Sequence, residues 1–255
     1  MFAVPVEASP PFHHRQDLLR ARLQAVGDSG LLVEFGTKIA PDVQARVLEL
    51  DESLKQRCFA GVIEAIIGYT TLLIVFDPAR TDFQRLKDEV LSLAAAPGRR
   101  TRRPRRWRVP VAYGGTFGMD LEEAAARCGL SQQELTNAHA GAHYTIAMFG
   151  FLPGFAYLSG LPANLALPRR ATPRTHVAGG TIAIGGSQTA IGSVPGPCGW
   201  NVIGRTPLRS FDADRYPATI FSPGDEIRFV PIDEASFHAL TKRAEAGESL
   251  AEEVA

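Results

Sequence analysis

From Tyr144 to Ile232 the sequence is a succession of short strand-like runs broken by glycine and proline turns. Few folds remain open to such a chain. The runs are Tyr144 to Phe151, Thr181 to Ile184, Val202 to Gly204 and Glu226 to Val230. Runs this short, at this spacing, read as a closed or nearly closed β-barrel. Glycine and proline number 24 and 18 without a Gly-X-Y period, so the excess marks turns and not a collagen-like rod. A strand at Trp107 to Ala112 and a Gly114-Gly115 turn should open this region. Two short helices should follow: Asp120 with Glu123, and Ser131 with Glu134, have capping-box spacing, and Gly129 sits where a helix C′ residue belongs. Glu234 to Glu253 reads as a polar terminal helix packed along Phe237 and Leu240.

The earlier part of the chain reads differently. Residues 1–20 are rich in proline and histidine and are expected to form a flexible tail. Arg22 to Val26 and Leu31 to Phe35 flank a Gly27-Asp28-Ser29-Gly30 turn, a hairpin signal. Val43, Val47, Leu50 and Leu54 recur at helical spacing over 42–57, with Pro41 at the start, where a missing N–H costs nothing. Val62 to Ile67 and Thr71 to Phe76 are strand-like around Gly68-Tyr69. Phe83, Leu86, Val90 and Leu93 mark a second helix opened by Thr81 or Asp82. The order ββαββα suits a sheet with helices on one face. The expected fold class is an α+β N-terminal domain followed by a mainly-β barrel domain. Its parts are a tail at 1–20, a small α/β domain at 21–97, an arginine-rich linker at 98–106, the barrel at 107–233 and a C-terminal helix at 234–255.

Charge narrows the function. Basic and acidic residues balance at 27 each, yet Arg99, Arg100, Arg102, Arg103, Arg105, Arg106 and Arg108 crowd into ten residues. Such a block suits nucleic acid. With Pro97, Gly98 and Pro104 around it and only Trp107 interleaved, it reads instead as an exposed linker, and no nucleic acid is expected. The most apolar run, Val62 to Phe76, contains Glu64, Gly68, Thr70 and Thr71. The N-terminus lacks a signal-peptide core, so no membrane association and a cytoplasmic location are expected. Cys58, Cys128 and Cys198 form no Cys-x-x-Cys and read as small buried or half-buried residues, a nucleophilic role for one being the alternative.

Several chemistries fall away. The helix pair over 120–141 imitates a DNA-reading helix-turn-helix, but its second helix has neither Lys nor Arg, so a plain helical hairpin is expected. His139 and His143 are four apart without a third ligand, so no metal is expected. There is no Gly-x-x-x-x-Gly-Lys phosphate loop and no Gly-x-Ser-x-Gly elbow. No lysine lies between 88 and 241, so neither a Schiff-base nor a biotinylated lysine can sit in the barrel. Any cation there is Arg, suited to bidentate holding of carboxylate or phosphate. The densest region is 149–204. It holds the aromatic Gly/Pro run Phe149 to Leu158, three arginines between prolines (Pro168 to Arg174), Gly185 to Thr189, and Pro197 to Asn201. Rigid turns carrying Arg, Gln, Thr and Trp can build a concave site with an anion clamp and an aromatic wall, the alternative being barrel corners over a packed core.

One ordered series runs through these elements. It comprises Val111-Ala112-Tyr113-Gly114-Gly115, Cys128-Gly129-Leu130-Ser131, His139, Gly150-Phe151-x-Pro153-Gly154-Phe155-x-Tyr157-Leu158, Pro168-Arg169-Arg170, Pro173-Arg174, Gly186-x-Gln188-Thr189 and Gly199-Trp200-x-x-Ile203-Gly204. The series resembles the PxpB/KipI family, also called allophanate hydrolase subunit 1-like proteins, over almost the whole chain after residue 20. The chain departs from the family's habit at Val177 to Thr181 (Val-Pro-Ala-Gly-Ser), Ile191-Gly192-Ser193 (Ile-Tyr-Pro) and Pro197-Cys198-Gly199-Trp200 (Pro-Gly-Gly-Trp). The resemblance implies that the barrel is cyclophilin-like. It also implies a subunit of an ATP-dependent 5-oxoprolinase, inactive alone and working with PxpC-type and PxpA-type partners. The family's alternatives are a KipI-like inhibitor of a sensor histidine kinase and the carboxyltransferase half of a biotin-dependent urea carboxylase. Biotin, if used, is carried by another chain or domain. On this reading Arg169, Arg170 and Arg174 clamp carboxylate or phosphate, Gln188 and Thr189 orient the substrate amide, His139 is an acid or base, and Phe155 and Trp200 form the apolar wall.

Overall fold

The computed structural model describes residues 21–96, 102–248 and 250–254. The expected tail over 1–20, and Arg99 and Arg100, lie outside the described residues. Packing divides the chain into two units between residues 101 and 102.

The first unit runs β1 (Arg22–Val26), β2 (Gly30–Glu34), α1 (Pro41–Arg57), β3 (Val62–Ile67), β4 (Thr71–Phe76) and α2 (Phe83–Ala95). Its antiparallel sheet has the order β1-β2-β4-β3. Leu31, Val33, Leu72 and Ile74 face one way and pack on Val47, Leu50, Leu86 and Val90 of the helices, as the helical spacing requires. Asp82, not Thr81, caps α2, accepting from the backbone N–H of Arg85. Cys58 ends α1 in the left-handed region at φ +49 and is exposed, against the buried or half-buried position expected.

The second unit begins with β5 (Arg106–Tyr113), α3 (Leu121–Arg127), α4 (Gln132–Gly141), β6 (Tyr144–Phe149) and β7 (Ala156–Ser159). It continues through β8 (Arg174–Val177), β9 (Thr181–Gly185), β10 (Gln188–Ile191), β11 (Gly196–Cys198), β12 (Asn201–Arg205), β13 (Glu226–Pro231), α5 (Glu234–Glu245) and β14 (Glu252–Val254). Seven strands in the order β12-β9-β10-β7-β6-β13-β5 close into a barrel because β12 also pairs with β5. β5 and β13 are parallel. β8 and β11 form a separate two-stranded ribbon.

Alternation along the strands sorts side chains into two clusters. Leu158, Ile182, Ile184, Ile191 and Ile203 point inward and join Leu121, Ala124 and Leu135 of α3 and α4 in the main core. Their neighbours Ala183, Ala190 and Val202 point outward and form, with Val177 and Trp200, a second cluster on the barrel's outer face. The inner face of α4 is thus packed against the barrel, as a structural hairpin requires.

Further expectations change. The capping box at Ser131 and Glu134 is present, but Asp120 makes no capping bond with its side chain; its carboxylate is engaged elsewhere, as described below. The terminal helix stops at Glu245, not Glu253. Gly247 adopts φ +88, Leu250 and Ala251 pack against the barrel core, and β14 then pairs with β5. β7, β8, β10, β11 and β14 have three or four residues each, too few to show a period. Lastly, the arginine run is partly built into the barrel. Buried Asp225 accepts from Arg102, from Arg105 Nη2 at 3.0 Å and from Trp107 Nε1 at 3.1 Å, while Arg106 opens β5. Burial alone would raise the Asp225 carboxyl, but the Trp107 and Arg102 hydrogen bonds outweigh it and hold the group below its ordinary value.

Candidate functional site

The outer cluster floors a groove of about 330 Å3 lined by Phe151, Phe155, Tyr157, Arg169, Arg170 and Trp200, with Cys198 at its side. Small residues make the floor. Ala183 and Ala190 leave room for the rings above, and Gly185 does so most sharply: a Cβ there would sit 2.3 Å from Trp200 Cδ2. Tyr157 and Trp200 meet edge to face at 5.7 Å, Phe155 and Tyr157 lie 4.9 Å apart, and Phe151 is set edge-on to Phe155 at 5.7 Å. These are favourable aromatic geometries. The Arg169 guanidinium stands over the Trp200 ring at 5.8 Å.

Phe151 is the anomaly of the site. It has φ +69, a region that a bulky L-residue occupies at a cost, and its side is turned outward so that the residue is 62% exposed. The loop is pinned from outside: the Ser193 hydroxyl donates to the Pro153 carbonyl. Ser193 is one of the positions at which the chain departs from the family's habit, and it serves this loop.

One end of the groove is fixed by a buried carboxylate. Asp120 Oδ1 accepts from Arg170 Nη1 at 2.7 Å and Arg174 Nη2 at 2.6 Å; its Oδ2 accepts from Arg174 Nη1 and from the Val202 N–H, both at 2.7 Å. Asp120 thereby joins the start of α3 to the loop before β8, to β8 and to β12. The hydrogen bonds to Asp120 raise the Arg174 guanidinium further above its ordinary value. Burial pushes the Cys198 thiol up, so it stays protonated.

The structure brings Arg169, Arg170, Phe155 and Trp200 together at the groove. Arg174 stands behind them on Asp120. Gln188 falls on the outer face by alternation, directly opposite Gly185. Thr189 and His139 go elsewhere. Both are wholly buried in the barrel core, so His139 is not brought to the groove as an acid or base. Thr189 Oγ1 donates to the Ala183 carbonyl at 3.0 Å, so His139 Nε2–H donates to Thr189 and Nδ1 accepts from the Tyr113 hydroxyl at 2.8 Å. The ring stacks on Phe229, and burial lowers its pKa to about 3. His143 is exposed and does not pair with it. Sequence reasoning assigned no role in the site to Asp120, Phe151 or Tyr157. Asp120 was hidden by its capping-box spacing. The two aromatics lay within the dense motif without a signal to separate wall from core.

The family model for the carboxyltransferase domain, subdomain C and D, matches residues 21–221. The chain is 33% identical over 232 residues to a 5-oxoprolinase subunit of Bacillus subtilis (strain 168), spanning 87% of this chain and 97% of that protein. The crystal structure of TTHA0988 superposes with a TM-score of 0.73 at 32% identity, over 80% of this chain and only 40% of that longer one. Kluyveromyces lactis urea carboxylase matches 98% of this chain with 25% of its own, at a TM-score of 0.76 and 16% identity, a likeness of fold alone. Among the described residues no helix is long and apolar enough to cross a membrane.

Proposed function

Because the chain belongs to the family of the carboxyltransferase domain, subdomain C and D, and is similar over most of its length to a 5-oxoprolinase subunit, we propose that it is a subunit of an ATP-dependent 5-oxoprolinase. The overall reaction converts 5-oxo-L-proline, ATP and two waters into L-glutamate, ADP and phosphate. The groove supports this reading: a small ring with one carboxylate fits an aromatic slot with a single outward guanidinium, Arg169, at its mouth. Phe155, Tyr157 and Trp200 cover the ring faces, Gln188 orients the amide, and Arg169 with the Asp120-held Arg170 and Arg174 supplies positive potential for carboxylate or phosphate.

A lactam is a poor electrophile, and transfer of a phosphoryl group from ATP to its oxygen activates the ring carbon. One water adds there, the C–N bond breaks with nitrogen leaving as the free amine, and a second water releases phosphate from the resulting acyl phosphate to give L-glutamate. Among the described residues the groove offers binding groups and a protonated thiol but no general base, with His139 held in the core. PxpC-type and PxpA-type partners are therefore assigned the rest of the site and the nucleotide. The test is ATP hydrolysis by the co-purified complex with and without 5-oxo-L-proline. Stimulation that disappears when this chain is omitted is expected; stimulation of equal size without it would overturn the reading.

A further inference from the structure

A second cluster of arginines lies outside the groove. The parallel register of β5 and β13 sets Arg106 beside Glu226 and Arg108 beside Arg228. Alternation places these four outward, with Trp107 and Ile227 buried behind them. Arg106 pairs with Glu226 at 2.9 Å and Arg108 with Glu252 at 3.5 Å. Arg228 has no ion-pair partner among the described residues and stands abreast of Arg108, a like-charge neighbour that destabilises the bare surface. Arg106, Arg108, Arg228, His143 and Val254 border a cavity of about 430 Å3.

The carboxylate on Arg108 comes from β14, which lies antiparallel on β5 with Glu252 opposite Arg108 and Val254 opposite Arg106. β14 has three residues, all exposed. The Arg108–Glu252 side chains are 50% and 67% exposed, the kind of pair that holds a segment weakly. The firm anchor lies just upstream, where Leu250 and Ala251 pack against the core. β14 therefore shows which chemistry the edge accepts, an extended acidic strand, while neutralising only part of the cation row.

We infer that this edge of β5 is a docking site for an acidic extended segment of a partner protein, added as a strand in the place that β14 holds. Main-chain pairing to β5 gives affinity, and carboxylates on alternate residues of the segment meet Arg106, Arg108 and the uncompensated Arg228. The inference stands apart from the chemistry assigned to the groove.

The test uses a fluorescein-labelled ten-residue peptide of alternating Glu and Val, read by anisotropy. It is titrated against the full chain, a chain ending at Ala251, which keeps the Leu250 and Ala251 anchor, and the full-length Glu252→Lys variant. Binding to the shortened chain and to Glu252→Lys should be about tenfold tighter than to the full chain, and should weaken as salt rises. Adding Arg228→Glu to the shortened chain should cost about tenfold, and a Lys/Val peptide should not bind. Equal affinity for all three chains, or no loss with Arg228→Glu, would overturn the inference. A full-length dimer that the truncation abolishes would do so too, by assigning the edge to a second copy exchanging β14.

Discussion

Arg174 grips Asp120 with both Nη atoms, at 2.7 and 2.6 Å, and turns an arginine of the sequence motif into part of the groove's frame. The same carboxylate takes Arg170 and the Val202 N–H. The Asp120 side chain is 4% exposed and the two arginines about a quarter, so the cluster is largely desolvated. Asp120→Ala strands two guanidinium groups and a backbone donor. The expected cost is about 3 kcal/mol, the low end for breaking a buried pair. Urea unfolding checks it, and Arg174→Ala in the Asp120→Ala background should cost much less than in wild type.

Arg169 is exposed and tied to Trp200 only through the ring face, so its removal should spare the fold. Arg169→Ala should raise the KM of the assembled complex for 5-oxo-L-proline by about tenfold or more, the worth of one hydrogen bond to a charged group. Its melting temperature should stay that of wild type. Arg169→Lys should recover little if the carboxylate is held bidentately. Unchanged kinetics in both variants would take Arg169 out of the site.

Gly185 is the floor on which Trp200 lies. The Cβ of Gly185→Ala would meet the indole at 2.3 Å, so the ring must move. Overpacking of this kind costs about 1–3 kcal/mol. Trp107, the chain's other tryptophan, is in the main core, so a shift in tryptophan emission that is absent in a Trp200→Phe background would report the displaced ring. An unshifted spectrum with normal activity would contradict the packing described here.

Much of the fold was legible because a 3.6-residue or two-residue pattern survives in the longer elements of both units. β1 to β5, α1, α2 and the Ser131 cap lie where their apolar spacing and turn residues put them. The ribbon of β8 and β11 was not, since three or four residues between prolines carry no period. The site divides along the same line. Arg169, Phe155 and Trp200 are on rigid turns within one stretch, and local sequence is enough to group them. Asp120 reaches Arg174 across 54 positions. His139 and Thr189 share the family motif but bond to each other across 50 positions, inside the core. Proximity in the motif said nothing of which side of the barrel wall a side chain would face.

Phe151 holds a left-handed backbone at φ +69 while leaving most of its surface in water. Phe151→Gly relieves backbone strain of about 1–2 kcal/mol and gives back part of it through a more flexible unfolded chain. Stability should therefore stay within about 1 kcal/mol of wild type although an aromatic ring is lost. Activity of the complex should fall, since the groove loses its outer wall. A large loss of stability would show that the ring is core, and full activity would show that the rim plays no part in binding.

His139 supplies a test that needs no partner. Its folded pKa of about 3 lies below the value of about 6.5 for an exposed imidazole, because burial disfavours the charged ring. Between those values the unfolded chain takes up a proton that the folded chain refuses. The stabilisation is thus complete above pH 6.5 and is lost as pH falls toward 3, by about 1.4 kcal/mol per pH unit. Asp225, also held below its ordinary value, adds a loss of the same sign at lower pH, below the usual carboxylate range. Urea unfolding between pH 6.5 and 5 therefore isolates the histidine. His139→Gln should flatten that slope even though it lowers stability at neutral pH by disturbing the Tyr113 and Thr189 bonds. The pH profile of the assembled complex should show no group that His139→Gln removes. A titration near pH 6.5 lost in this variant would return the residue to the chemistry.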